Sequence, residues 1–317
     1  MTEFDRITEG GQEKEILGKL RGGVVTPENI EEHCLPFFVK IQIQTVSHCN
    51  ASCTTCPYPE TRTRLPQGRM SEERFLRLVD QIKGRGVERT SLFLMNEPLL
   101  DKRLERFTAL LKKADPDTTA LIFTNGLLLT KERALSLAES GMDEIDISVN
   151  GFDRESHERV MKGIDYDQVM KNLRAVGDLL QAGRLENVRI KVVGLRLPGT
   201  GAGADAFRKE TGLEVYLKPV TNRAGLIDTE RLGGQAEKSG SMTVCQRPFV
   251  KAYVLYNGDM VLCNCDWMRT TIIGNIESNT LEELWSSEKM MEVRRAHLRG
   301  AFPKDLPCGA CDYPYLV

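Results

Sequence analysis

The sequence lacks the features that mark several large classes of protein. Its 43 Lys and Arg residues are balanced by 45 Asp and Glu residues, and no basic stripe with interleaved aromatic residues occurs. Nucleic acids and anionic membrane surfaces are therefore not the expected partners. No stretch approaches the roughly 20 apolar residues of a membrane-spanning helix, and the acidic first residues contain no apolar signal core. These absences predict a cytoplasmic protein.

What the sequence does contain is enough apolar material for a substantial core, together with many cysteines. Hydrophobic residues make up 41% of the 317 residues, which suits one large domain and a small one. There are nine cysteines. Because thiols stay reduced in the cytosol, we expect these cysteines to be metal ligands or catalytic thiols rather than disulfides.

The middle of the chain alternates short strand-like runs with amphipathic helices. Six runs have strand character: residues 39–46, 89–95, 120–124, 144–149, 188–197 and 213–218. Apolar residues at helical spacing predict helices over 71–86, 103–114 and 166–181 between them. Six successive β/α units predict an α/β fold, a partial (β/α)6 TIM-like barrel, in which chemistry lies at the C-terminal ends of the strands.

The alternation of strands and helices ends at a Gly- and Ser-rich stretch, residues 222–243, which has no hydrophobic periodicity. Asn257-Gly258 then separates two strand-like runs, 249–256 and 260–265, which predicts a β-hairpin. A helix is predicted over 280–298. We therefore divide the chain into a helical extension (1–36), the barrel (37–230) and a small C-terminal domain of one β-hairpin plus a helix (231–317).

Three cysteines follow the first predicted strand directly. Cys49, Cys53 and Cys56 form a C-x3-C-x2-C spacing. Three thiolates leave one iron of a four-iron cluster without a protein ligand, and that iron can bind a substrate or cofactor. A structural zinc site would need a fourth nearby Cys or His, for which only His48 is available. A chance grouping in the core is the third alternative, although residues 47–56 are polar throughout.

This spacing at this position resembles the radical S-adenosylmethionine (SAM) superfamily, and the resemblance extends from about residue 37 to the C-terminus. It implies that the open iron chelates the amino and carboxylate groups of SAM. One electron from the cluster then cleaves SAM to a 5'-deoxyadenosyl radical, which takes a hydrogen atom from the substrate. It also implies an external one-electron reductant such as flavodoxin or ferredoxin.

Further segments resemble the SAM-binding elements of this family in the same order. "MNEPLLD" resembles the Gly-Glu-Pro element, which implies that Glu97 holds the methionyl amino group, with Asn96 in place of the glycine. The later strand ends "FTNG" and "DISVNGFDRESHERV" imply that the ribose and carboxylate of SAM are contacted by Asn125, Ser148 and Arg159. The family has an aromatic residue before its third cysteine; Thr55 stands there, and Tyr58 is the expected substitute against adenine.

A second cysteine pattern occupies the tail. Cys245 is followed by 17 residues to Cys263, by 44 more to Cys308, and then by Cys311 in a C-x2-C pair. Alone, this spacing also suits a zinc ribbon. The intervening sequence resembles the twitch domain, a shortened SPASM module, which implies that these four cysteines bind one auxiliary [4Fe-4S] cluster.

Two cysteines remain outside both patterns. Cys34 precedes "LPFF" and is expected to be a buried apolar thiol. Cys265 lies two residues beyond Cys263, so in an extended strand it would share that residue's face. It is an alternative cluster ligand, a hydrogen-atom donor or an inert thiol, and the inert role is favoured.

In size and cysteine layout the chain is similar to aminocyclitol and sugar dehydrogenases of antibiotic biosynthesis. The resemblance implies oxidation of a secondary alcohol to a ketone, with the auxiliary cluster as electron acceptor. Arg223 and Arg247 are candidates for holding the polar substrate. Two alternatives stay open: a radical sugar or aminoglycoside epimerase that uses Cys265 as hydrogen donor, and a maturase of ribosomal peptides, for which a 36-residue extension is short. An electron carrier is disfavoured, because it needs neither Glu97 nor an open three-cysteine site.

Overall fold

Six parallel strands form the central sheet, as the alternating pattern predicts. The computed structural model describes residues 11–233 and 244–313. Its first six strands are β1 (Lys40–Ile43), β2 (Arg89–Ser91), β3 (Thr119–Thr124), β4 (Glu144–Ser148), β5 (Arg189–Arg196) and β6 (Glu214–Pro219). Each strand pairs in parallel with its sequence neighbour, in the order β6-β5-β4-β3-β2-β1. The predicted partial barrel is confirmed, and all its strand C-termini point to one side.

The helices of the described residues cover the outside of this sheet. They are α1 (Gly11–Arg21), α2 (Ile30–His33), α3 (Tyr58–Arg64), α4 (Glu72–Ile82), α5 (Leu104–Ala114), α6 (Lys131–Glu139), α7 (Arg154–Val160), α8 (Tyr166–Gln181), α9 (Ala204–Thr211), α10 (Arg247–Val250), α11 (Leu281–Trp285) and α12 (Glu288–Arg299). Helix α8 has the predicted bounds, and α4 begins after Ser71, whose hydroxyl accepts a hydrogen bond from the Arg74 amide at 3.2 Å. None of the helices in 11–233 and 244–313 combines the length and apolar composition needed to cross a membrane.

Apolar side chains on the inner faces of the helices fill the space against the sheet. Phe75 of α4 and Phe107 of α5 are fully buried and stack with ring centroids 4.2 Å apart. Ile41 of β1 and Ile122 of β3 are likewise inaccessible to solvent. Burial of each such side chain contributes about 1.5–3 kcal/mol, so this packing fixes the strand ends that carry the site.

The N-terminal extension packs against the opposite end of the barrel. Residues 1–10 lie outside the described residues, and the remainder of the predicted helical segment contains α1 and α2. Helix α1 buries Ile16, Leu17 and Leu20 against a second apolar cluster. Its Glu13 carboxylate, 2% exposed, forms an ion pair with Lys40 at the start of β1.

The C-terminal part extends the barrel sheet instead of forming a separate one. Strand β7 (Lys251–Val254) pairs in parallel with β1, and β8 (Asp259–Val261) and β9 (Ile272–Asn275) follow as antiparallel neighbours. The hairpin at Asn257-Gly258 is confirmed, with Val254 opposite Met260. Because one sheet joins both parts, the boundaries 37–230 and 231–317 remain a prediction.

Three details of the predicted tail are wrong. Residues 249–250 belong to α10, since Pro248 favours the first turn of a helix over a strand. Strand β8 ends at Val261, so Cys263 and Cys265 lie in a turn and the shared-face argument does not apply. The helix predicted over 280–298 is two helices, because the Ser287 hydroxyl accepts a hydrogen bond from the Met290 amide and starts a new helix.

Candidate active site and cluster sites

A large cavity of about 450 Å3 lies where the parallel strands end. It is lined by ten of the predicted site residues: Cys49, Cys53, Cys56, Tyr58, Asn96, Glu97, Asn125, Ser148, Arg223 and Arg247. Arg159 is not among the lining residues; its side chain on α7 is 56% exposed and pairs with Glu155 at 3.9 Å. The fold therefore brings together nearly all residues expected at the SAM site, from four different segments.

The cysteine loop, residues 49–56, is held in place by its backbone. The amides of Ser52 and Thr54 donate to the carbonyls of Lys162 and Val160 at 2.7 and 2.9 Å, which ties the loop to the end of α7. The Cys49 amide donates to the Tyr58 hydroxyl at 2.9 Å. Tyr58 therefore anchors the loop and also lines the cavity, where an adenine contact was expected.

The three thiols of this loop are potential ligands of a four-iron cluster. Within 11–233 and 244–313, no three His, Cys, Asp or Glu side chains converge closely enough to hold one metal ion. A four-iron cluster does not require that convergence, because each thiolate binds a different iron. Burial raises the pKa of Cys49 to about 12, so iron binding as thiolate must release a proton.

Glu97 joins the ends of β2 and β3 through its carboxylate. One oxygen, Oε1, accepts hydrogen bonds from the Leu99 amide at 3.0 Å and the Thr124 hydroxyl at 2.7 Å. The other, Oε2, accepts from the Asn125 amide at 2.8 Å. Burial raises the pKa of Glu97 to about 7, although these donors oppose the shift. A bound ammonium group would favour the charged form, as the resemblance implies for SAM.

Asn96 offers a second polar group to a ligand. Its Oδ1 accepts from the Leu94 amide at 2.7 Å, while its Nδ2 is buried with no hydrogen-bond partner among the described residues. Met95, just before it, has a φ of 55°, which turns the chain at the strand end. An unsatisfied donor in this cavity fits the carboxylate of an amino acid moiety, so the residues present are suited to SAM.

Asn125 and Ser148 occupy the next two strand ends. Asn125 Nδ2 donates to Asn50 Oδ1 at 2.7 Å, and its own Oδ1 accepts from the Leu127 amide at 3.1 Å. This network connects the end of β3 to the cysteine loop. Ser148 is the last residue of β4 and faces the same cavity.

A second, small pocket, which we call the auxiliary pocket, gathers five cysteines. They are Cys245, Cys263, Cys265, Cys308 and Cys311. The predicted four-cysteine set is thus brought together by the fold, and Cys265 joins it. Cys265 is 1% exposed, its Sγ accepts a hydrogen bond from Arg247 Nη1 at 3.0 Å, and its amide donates to Cys263 Sγ at 3.3 Å.

Two arginines lie between the large cavity and the auxiliary pocket. Arg247 lines both. Arg223, at a φ of 50°, lines the large cavity, and its Nε is buried with no partner among the described residues. Burial raises the pKa of the Cys56 thiol, and the nearby Arg223 guanidinium opposes that increase. Hydrogen bonds with Cys263 and Cys311 lower the pKa of Cys265, and the charges of Arg247 and Arg223 act in the same direction. A substrate in the large cavity would therefore meet cationic side chains beside both cysteine groups.

The sequence reasoning missed the polar residues on the inner faces of the strands. Lys40, Gln42, Asp146 and Lys251 line the deep end of the cavity. Burial, with the neighbouring Lys40, holds the pKa of Lys251 well below its ordinary value. The alternation of apolar and polar residues in "VKIQIQT" could have predicted these cavity residues. A barrel strand with polar residues on its inward face indicates a solvated or ligand-filled interior.

Two family patterns match the regions that hold these sites. That of the radical SAM superfamily matches residues 43–183, and that of the iron-sulfur cluster-binding domain SPASM matches residues 245–312. The chain is 24% identical over 276 residues to an S-adenosyl-L-methionine-dependent 2-deoxy-scyllo-inosamine dehydrogenase of Niallia circulans, covering 87% of this chain and 93% of that protein. It is 34% identical to a GTP 3',8-cyclase of a Synechococcus species, but over only 46% of this chain and 44% of that one.

Solved structures share the fold over most of the chain. BtrN in complex with AdoMet and 2-DOIA superposes with a TM-score of 0.60 at 22% identity, covering 83% of this chain and 88% of that one. Streptococcus suis SuiB bound to the precursor peptide SuiA gives a TM-score of 0.66 at 15% identity, covering 91% and 73%. The open three-cysteine loop and the SAM-type strand ends lie in a radical SAM domain (43–183), and the gathered tail cysteines lie in a SPASM-type iron–sulfur cluster-binding domain (245–312) of an enzyme.

Proposed function

We propose that this enzyme oxidises a secondary alcohol of a sugar or aminocyclitol to a ketone. The observation that carries the proposal is the adjacency of two cysteine sites around one cavity. Arg247 lines both the large cavity and the auxiliary pocket, and Arg223 lies near Cys56 of one site and Cys265 of the other. A substrate between them would be within reach of a radical generator on one side and an electron acceptor on the other.

The residues divide between two clusters and SAM. Cys49, Cys53 and Cys56 would hold a [4Fe-4S] cluster with one open iron, and four cysteines of the auxiliary pocket would hold a second one. When bound, the first cluster and SAM supply a 5'-deoxyadenosyl radical, and the second cluster supplies a one-electron acceptor. Glu97 would bind the SAM ammonium group, and the free Asn96 Nδ2 would bind its carboxylate.

The oxidation balances with these components. The alcohol loses one hydrogen atom from carbon, one proton from its hydroxyl group and one electron, so that a C=O bond replaces a C–O single bond. The hydrogen atom would end in 5'-deoxyadenosine, the electron in the auxiliary cluster and the proton in solvent water. Arg223 would hold the hydroxyl oxygen and favour loss of its proton, because its guanidinium Nε, which has no partner within 11–233 and 244–313, would stabilise developing negative charge.

The substrate class is supported by the Niallia circulans relative, whose name is that of an aminocyclitol dehydrogenase and which aligns over 87% of this chain. The cavity volume of about 450 Å3 suits a small polar ring beside a cofactor. A role in antibiotic biosynthesis belongs to the same proposal. We further infer a cytoplasmic location and an external reductant such as flavodoxin or ferredoxin, since the first cluster must receive an electron in each turnover.

The epimerase is the second candidate, because Cys265 is a buried thiol beside the cluster ligands. A hydrogen-atom donor must reach the substrate, however, and Cys265 is not among the residues that line the large cavity. Its sulfur instead accepts a hydrogen bond from Arg247. The dehydrogenase is therefore favoured. The peptide maturase rests on a likeness of fold to SuiB, whose structure contains a precursor peptide.

The test uses the anaerobically reconstituted enzyme with SAM, a chemical reductant and a panel that begins with 2-deoxy-scyllo-inosamine and extends to other aminocyclitols and sugars. The expected product is two mass units lighter than its substrate and carries a carbonyl group that oxime formation detects. Arg223→Gln should lose this product, while Arg299→Gln, on the exposed end of α12, should retain it. Failure of the whole panel to yield a ketone would reject the proposal.

A further inference from the structure

Arg247 occupies a position that substrate binding alone does not explain. It opens helix α10, two residues after Cys245, and its side chain is partly buried between the large cavity and the auxiliary pocket. Its Nη1 donates to Cys265 Sγ at 3.0 Å. Its guanidinium carbon lies 3.5 Å from the centroid of the Tyr313 ring. One contact in the auxiliary pocket, with Cys265, and one at the large cavity, with Tyr313, therefore fix the group.

The charge of Arg247 is not neutralised by a carboxylate within the described part of the chain. No ion pair joins it to an Asp or Glu of residues 11–233 or 244–313, although other buried charges there are paired, such as Lys40 with Glu13 and Lys191 with Asp146. A partly buried cation without a counter-ion is costly. Four cysteine thiolates around a cluster supply the negative charge that would compensate it.

A cation in the auxiliary pocket changes the free energy of reducing a cluster bound there. A [4Fe-4S] cluster with a core charge of +2 and four thiolates carries a net charge of about −2, and reduction makes it about −3. A fixed positive charge stabilises the more negative form more strongly, which raises the reduction potential.

We propose that Arg247, positioned by Cys265, raises the reduction potential of the auxiliary cluster and so makes it a better electron acceptor. This inference rests on the proposed function, because only an accepting cluster benefits from such a shift. Cys265 then has a structural role, because its sulfur accepts the hydrogen bond that holds the guanidinium beside the cluster ligands. It is neither the hydrogen donor nor an inert thiol. Arg247 is thus a positioning residue that acts through the cluster.

The test isolates the auxiliary cluster and measures its potential directly. Changing all three cysteines of the cysteine loop to Ala leaves a protein with one cluster, whose midpoint potential is followed by electron paramagnetic resonance during a mediated redox titration without substrate. In this background Arg247→Gln should lower the equilibrium constant for reduction at least about tenfold, which is about 59 mV for one electron. Arg247→Lys should lower the potential by a smaller amount, because lysine keeps the positive charge but lacks the planar guanidinium group with its several N–H donors. Arg299→Gln, with its side chain exposed, is the matched control and should not shift.

Iron content decides how each result is interpreted. Arg247→Gln with four irons and an unshifted potential would overturn the inference. If Arg247→Gln loses its iron, Cys265→Ala decides: a decrease in potential in the same direction supports the inference, and an unchanged potential overturns it. Because no substrate is present, the result does not depend on whether the enzyme is a dehydrogenase. A failed search for a ketone product, with a shifted potential, would reject only the proposed function.

Discussion

Glu97 should make SAM binding depend on pH in a way that can be calculated from its surroundings. Its carboxylate is 2% exposed and accepts three hydrogen bonds, and burial raises its pKa to about 7. Only the ionised form attracts the SAM ammonium group. Between pH 5.5 and 7 the ionised fraction increases from about 3% to about one half, so the affinity for SAM should rise about fifteenfold. Above about pH 8 the SAM amino group itself loses its proton, which limits the useful range.

The same carboxyl group should make the folded protein less stable as the pH rises, whereas the affinity for SAM increases over that range. Its folded-state pKa lies above the ordinary glutamate value of 4.5, so the folded protein holds the proton more tightly than the unfolded chain. The stabilisation is complete below about pH 4.5 and is lost as the pH rises through about 7, which amounts to roughly 3 kcal/mol for SAM-free protein. Glu97→Gln should remove this dependence, because an amide does not titrate in this range.

Isothermal titration calorimetry with SAM, at several pH values and with both clusters loaded, measures the first effect. Wild type should show the fifteenfold increase and Glu97→Gln a nearly flat profile at lower affinity. Glu132→Gln, at an exposed position of α6, should behave as wild type. A parallel increase in wild type and Glu97→Gln would show that another group titrates and that Glu97 does not hold the ammonium.

Three further predictions concern the clusters and the packing. The reconstituted protein should hold about eight iron and eight sulfide per chain, with about four iron left when the three cysteines of the cysteine loop become Ala; zinc without sulfide would contradict this. Cys265→Ala should keep both clusters and still form product, whereas intact iron with SAM cleavage but no product would favour the epimerase. Gly177→Ala should destabilise the fold by about 3 kcal/mol in chemical denaturation, because the new Cβ would lie 1.8 Å from the Thr211 carbonyl oxygen. Gly18→Ala, which meets nothing within 4 Å, should be neutral or slightly stabilising, and equal losses in both variants would refute this packing argument.

The parts of the fold that depend on local periodicity were predictable from the sequence. Helix α8 has its predicted bounds, and β3 and β4 differ from their predicted ranges by one residue at one end. The strand ends then placed Glu97, Asn125 and Ser148 around one cavity, because parallel strands that follow one another in a barrel end on the same side.

The features that were not predictable depend on contacts between distant segments. Pairing of β7 with the edge of β1 joins residues more than two hundred positions apart, and no local signal reports it. Cys265 was interpreted as part of a strand, yet a turn after Val261 carries it into the auxiliary pocket. Arg159 does not line the large cavity and its side chain is 56% exposed, since a residue near a helix end can face solvent as readily as the barrel.

The central claim, oxidation of an alcohol by a radical generated from SAM, is tested most directly by mass spectrometry of the product formed in D2O. We expect a product two mass units lighter than its substrate, with one 5'-deoxyadenosine released per product and no carbon-bound deuterium except at the exchangeable positions beside the carbonyl group. A product of unchanged composition that gains one carbon-bound deuterium would show epimerisation instead and would contradict the account.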